Sequence, residues 1–91
     1  MNIEIIEAVL QFQDAKTRVG HVTFKYDGHT MPYELHLIKE RGKDWGYSLV
    51  FAGESGLEDE ILAVETRLET DDDFFDFLVD AAEDALEKET E

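Results

Sequence analysis

The chain has 91 residues, 43% of them hydrophobic, no cysteine, and 23 Asp/Glu against eight Lys/Arg for a formal net charge of −15. That length holds one core without a deep enclosed pocket. The lack of cysteine excludes disulfides, thiolate nucleophiles and zinc–thiolate sites. The charge disfavours direct contact with nucleic-acid backbones or anionic membranes, while six Phe, three Tyr and one Trp suffice for a packed core and set the chain apart from a disordered acidic tail.

In chain order, Ile6, Ala8, Leu10 and Phe12 alternate through residues 3–13. Ile3, Ile6 and Leu10 also fit a helical spacing, but the β-branched content and the hairpin context favour a strand. Glu4 and Glu7 interrupt this stretch and no basic residue precedes Lys16, the reverse of a signal peptide. No apolar run nears the ~20 residues of a membrane span, so the expectation is a soluble, cytoplasmic protein. After a polar connection at 14–18, Val22, Phe24 and Tyr26 alternate up to Asp27-Gly28, a type I′ hairpin signal. Met31, Tyr33, Leu35 and Leu37 alternate beyond it. Pairing Tyr26 with His29 sets Phe24 opposite Met31 and Val22 opposite Tyr33, which keeps one face apolar. Pro32 cannot donate to a ladder and predicts a bulge or an unpaired position. The turn at 40–44 leads to Trp45 and a fourth strand, where Tyr47, Leu49 and Phe51 extend the same face.

After Gly53 the period changes. Leu57, Ile61, Val64 and Leu68 form a helical stripe behind a capping box of Ser55 and Glu58, although Leu62, Val64, Thr66 and Leu68 also alternate as a strand would. Thr70 with Asp73 is a second capping box, opening a helix over about residues 71–88. The pattern predicts an α+β fold: a four-stranded antiparallel β-meander followed by two α-helices packed on one face, a β-β-β-β-α-α two-layer sandwich. One domain is expected over 1–91, with the sheet at 1–53, an acidic helical layer at 54–88 and a frayed tail at 89–91.

Charge follows the same division. Residues 1–50 carry six Lys/Arg and seven Asp/Glu, a net of −1; residues 51–91 carry two and sixteen, a net of −14. On a wheel of the last helix, Asp73, Asp76, Asp80, Glu83, Asp84 and Glu87 share an arc of about 100° and rise about 21 Å, one carboxylate per ~3.5 Å of axis. Phosphates of one DNA strand are spaced at a similar ~3.4 Å. In charge density alone the stripe resembles the charge ladder of DNA-mimic proteins, which occupy basic nucleic-acid-binding sites. These six residues are the candidate partner-binding face, with a basic protein as partner. The competing reading is a solvated helix face. Glu58, Asp59, Glu60, Asp71, Asp72 and Asp73 fall in first turns, where the helix dipole favours carboxylates. The apolar arc of the same helix, centred on Phe74, Phe77, Leu78, Ala81 and Ala85 and widened by Phe75, Val79, Ala82 and Leu86, is broad enough for two neighbours.

Other constellations are weaker. His21 and His36 flank Glu34 in the predicted register, but a flat sheet face rarely converges ligands, and no metal or cofactor is expected. Asp71, Asp72, Asp73 and Asp76 lack the spacing and glycine of an EF-hand. No nucleophile elbow, phosphate loop or positioned acid–base pair points to an enzyme. Lys39, Arg41 and Lys43 flank one turn, with Lys16 and Arg18 on another connection, and could meet the acidic helices of a neighbouring copy. Ile38, Val50 and Ala52 face outward and form the candidate oligomer patch. The sequence therefore reads as a non-catalytic binding or regulatory module whose acidic helices engage a basic protein. The alternative is a structural or self-associating domain, such as a homodimer through the sheet face, whose acidity only confers solubility.

Overall fold

The computed structural model describes the backbone of residues 3–90 and the side chains of residues 3–86. Strands β1 (Ile3–Phe12), β2 (Thr17–Tyr26), β3 (Tyr33–Glu40) and β4 (Gly46–Phe51) precede helices α1 (Glu58–Thr70) and α2 (Asp72–Thr90). The strands form one antiparallel sheet in the order β1-β2-β3-β4. This is the meander followed by two helices that the sequence predicts. Residues 57–69, open between strand and helix from sequence, are helical from Glu58 onward. No helix among the described residues is long and apolar enough to cross a membrane.

Side chains alternate across the pleat, so one face of each strand supplies the core. Leu10, Val22, Phe24, Tyr33, Leu35, Leu37 and Leu49 from the sheet meet Val64 and Leu68 of α1 and Phe74, Leu78, Val79 and Ala82 of α2. Phe24 packs edge-on against Phe74 at 6.3 Å and tilted against Tyr33 at 5.7 Å, while Tyr33 stacks on Phe51 at 5.7 Å. A β-bulge between Ile5 and Glu7 leaves Ile6 half exposed. At the β1–β2 pair, Gly20 lies opposite Leu10 and takes part in a close backbone approach: a Cβ there would sit 2.0 Å from the Val9 carbonyl oxygen.

The β2–β3 register differs from the predicted one by two residues. Phe24 pairs with Tyr33 and Val22 with Leu35. The turn explains the shift. His29 N–H bonds to the Tyr26 carbonyl at 3.0 Å, and within this turn only Gly28 takes positive φ, at 83°. A type I′ turn needs positive φ at Asp27 as well, and among the described residues only glycines adopt it. The chain therefore leaves the turn without continuing the ladder, and β3 begins only after Pro32, whose carbonyl accepts the Ala52 N–H at 3.1 Å. Because the slip is even, every side chain keeps its face, and the apolar pattern is preserved.

Helix capping also departs from expectation. Leu57 stands at the N-cap of α1 with no side-chain bond, so Ser55 and Glu58 form no capping box. Glu60 instead accepts from both the N–H and the hydroxyl of Thr30, at 3.1 Å each, tying the first turn of α1 to the β2–β3 loop. Asp71, not Thr70, caps α2. Its Oδ1 accepts the Phe74 N–H at 3.2 Å, while Thr70 ends α1 and donates its hydroxyl to the Thr66 carbonyl. α2 then continues to Thr90, beyond the predicted end at 88.

The Phe74 amide and the Arg67 guanidinium hold the Asp71 carboxyl below its ordinary range. A depressed folded-state value means the contribution is fully present above the unfolded value, about 3.9 for aspartate, and is lost as pH falls through the folded value. Asp71→Ala should accordingly lower the unfolding midpoint at neutral pH. In urea titrations over a pH series, that deficit should shrink below about pH 4 and vanish in strong acid; a pH-independent deficit would contradict the capping role.

Candidate functional site

α2 carries the candidate site. Five of its predicted carboxylates fall on the side away from the buried row of Phe74, Leu78, Val79 and Ala82. Asp73, Asp76, Asp80 and Asp84 are exposed and Glu83 is half-buried. Glu87 lies within α2, but its side chain falls outside the described residues. None of the five forms an ion pair among the described residues. Lys88 follows Asp84 by four residues, with its side chain outside the described residues, and Arg67, the cation on the other flank, is committed elsewhere. Its Nη1 donates to the Tyr26 hydroxyl at 2.7 Å, its Nε to Asp71 at 3.2 Å, and its guanidinium lies 4.5 Å from the Phe74 ring centroid.

The core-facing arc of α2 is rotated from its predicted centre toward Val79, Ala82 and Leu86, because the helix packs against both α1 and the β1–β2 side of the sheet. The breadth of the arc thus serves two neighbours within the chain. Phe77 is the residue left over, 36% exposed. It lies four residues after Asp73 and three before Asp80, the spacing at which helix side chains are neighbours. An aromatic ring therefore borders the carboxylate stripe.

On the other side of the sheet, Ile38 and Val50 point to solvent as predicted, but the ladder does not bring them together. Ile38 pairs with Gly46 and Val50 with Glu34, with the His36–Ser48 pair between them. Four residues of strand separate them by roughly 13 Å. Ala52 lies past the end of β4 and is half-buried. The space between is polar: His36 Nε2 lies 3.1 Å from Glu34, and His21 Nε2 lies 3.3 Å from Glu7 and 3.8 Å from Glu34. His21 faces His36 directly, not Glu34, as the shifted register requires. Among the described residues, no three His, Cys, Asp or Glu side chains are grouped so as to hold a metal ion.

An open cleft of about 730 Å³ at the β2–β3 loop is lined by Ile3, Lys25, Tyr26, His29, Met31 and Pro32, among others. His29 lies tilted against Tyr26 with ring centroids 4.6 Å apart and shares a 2.7 Å hydrogen bond with the Tyr33 hydroxyl, so these rings brace the loop that the register slip creates.

The opposite end of the sheet is basic. The Arg41 N–H donates to the Lys16 carbonyl at 2.8 Å, joining the β1–β2 and β3–β4 connections. Lys16, Arg18, Lys39, Arg41 and Lys43, five of the eight Lys/Arg, thereby meet at one end. A four-stranded meander places its first and third connections at the same end, and the shifted β2–β3 register sets Arg18 directly opposite Lys39 there.

No protein-family model, no curated protein and no solved structure matches the chain. Its functional reading therefore rests on its own surface chemistry.

Proposed function

We propose that the chain is a non-catalytic, cytoplasmic binding module whose α2 face engages a basic partner protein. The observation that carries this reading is the unneutralised stripe of Asp73, Asp76, Asp80, Glu83 and Asp84, which has no cation beside it among the described residues. Soluble helices ordinarily intersperse both signs at i and i+4 spacing, and along Asp73–Asp84 only Asp84 has a Lys or Arg four residues on, at Lys88. Its carboxylates stand on average about 4 Å apart along the axis, close to the ~3.4 Å phosphate spacing of a nucleic-acid strand, so a surface evolved to grip phosphates meets a comparable charge density. Phe77 supplies an apolar anchor at the edge of the stripe, in keeping with interfaces in which an aromatic residue provides contact area beside steering charges.

The experiment is a capture assay from cell extract with wild-type and Asp76→Lys/Asp80→Lys/Asp84→Lys baits side by side, read by mass spectrometry. The reading predicts one or more basic proteins held by the wild type and lost with the reversed bait. Identical capture by both baits refutes it.

A further inference from the structure

The basic end breaks a local rule of sheet construction. Arg18 and Lys39 stand directly opposite each other across β2 and β3, on the helix-facing side of the sheet. Like charges in that position oppose pairing, and no carboxylate lies within ion-pair distance of either among the described residues. Arg18 lies over the Trp45 ring, 5.6 Å from its centroid, and the Lys39 ammonium bonds to the Lys43 carbonyl. Phe12 continues the row, pairing with Arg18 across β1–β2, and is 61% exposed even though its strand faces the helical layer there. Phe12, Lys16, Arg18, Lys39 and Arg41 line an open recess of about 380 Å³. Uncompensated like charges around an exposed aromatic ring conflict with stability, and such conflicts concentrate at functional sites.

We propose that this recess docks the acidic α2 face of a second copy of the chain, so that copies associate head to tail. The inference rests on the functional reading insofar as both use the same carboxylates, but it adds a second surface and names its occupant. The two surfaces are complementary in kind. Five uncompensated carboxylates bordered by exposed Phe77 face a ring of Lys and Arg around exposed Phe12. Among the described residues neither these five carboxylates nor Lys16, Arg18, Lys39 and Arg41 form an ion pair, although Glu40 at the basic end pairs with Lys43 at 3.4 Å. The contact is heterologous, so each copy offers both halves and association repeats as a ring or an open chain. Because the whole chain carries −15, copies repel one another at long range. Association therefore favours intermediate salt, where the field is screened beyond about 10 Å while the docked charges still interact.

Sedimentation velocity and light scattering of the full chain near 0.1 M salt test the proposal. Two reversed variants are used: Lys39→Glu/Arg41→Glu at the basic end, and Asp76→Lys/Asp80→Lys/Asp84→Lys on α2. K39E places a carboxylate opposite Arg18, so that variant should fold at least as stably as the wild type while associating about tenfold or more weakly. The α2 variant alone should be equally impaired. An equimolar mixture of the two restores association, since each surface again meets its opposite. A monomeric wild type at high concentration, undiminished association of the Lys39→Glu/Arg41→Glu protein, or no rescue on mixing overturns the inference. In each of those cases the functional reading stands or falls separately, on loss of the foreign basic partner with the α2 variant alone.

Discussion

Phe74→Ala should destabilise the fold by about 3–5 kcal/mol, the largest single-residue effect expected in this chain. Phe74 is fully buried. Its ring meets Phe24 edge-on at 6.3 Å and Tyr26 edge-on at 5.9 Å, and it carries the Arg67 guanidinium at 4.5 Å. Three losses add at this position: apolar transfer, the cavity left between the sheet and the helices, and aromatic and cation–π contacts of about 0.5–1.5 kcal/mol each. It also sits at the start of α2, where Asp71 caps its amide, so truncation loosens the α1–α2 junction along with the core. Domains of this size have a total stability of about 5–15 kcal/mol, and each kilocalorie moves the midpoint by roughly 4–8 °C. A fall of about 12 °C or more in thermal unfolding is therefore expected, with Phe74→Leu intermediate. A loss below about 1 kcal/mol would contradict the central placement of this ring.

Gly20→Ala is the second large effect, and its cause is different. The added methyl carbon would stand 2.0 Å from the Val9 carbonyl oxygen and 2.9 Å from Leu10 Cα. Real Cβ atoms do not approach so closely, and the obstructing atoms belong to the backbone of β1, so no rotamer change relieves the clash. Overpacking costs about 1–3 kcal/mol, occasionally more, and this substitution belongs at the upper end. The gain in strand propensity from replacing glycine is smaller, about 0.5–1 kcal/mol. The β1–β2 pairing must part locally, so amide exchange at Val9–Gln11 should accelerate along with the global loss. Wild-type stability in the Gly20→Ala protein would show that β1 and β2 do not approach in this way.

The sequence made the element order, the strand faces and the composition of the core legible, because periodicity reports burial directly. Val22, Phe24, Leu35 and Leu49 alternate for the same reason that they are buried. It was less informative wherever one residue type satisfies two geometries. Asp27-Gly28 marks a turn whether φ is positive at one position or two, and only the longer loop to Pro32 separates the registers. Thr70, Asp71 and Ser55 all have capping chemistry, and the choice among them depends on where α1 meets the Thr30 loop. For the candidate site, the acidic stripe was visible on a helical wheel, since exposure on α2 follows from helix geometry. Non-local features were not. Gly20 carries no turn signal, the direct Arg18–Lys39 pairing depends on the shifted β2–β3 register, and the separation of Ile38 from Val50 follows from the β3–β4 register.

The claim that the α2 carboxylates form a binding face meets its most direct test in the affinity for the captured basic partner, measured by titration calorimetry over a salt series. Exposed charges act over about 10 Å at 0.1 M salt and about 3 Å at 1 M, so wild-type affinity should fall at least about tenfold across that range. Asp76→Lys/Asp80→Lys/Asp84→Lys should weaken binding about a hundredfold at the low end and flatten the salt dependence. Binding that is indifferent to salt, or unchanged by reversing these three residues, would contradict the account.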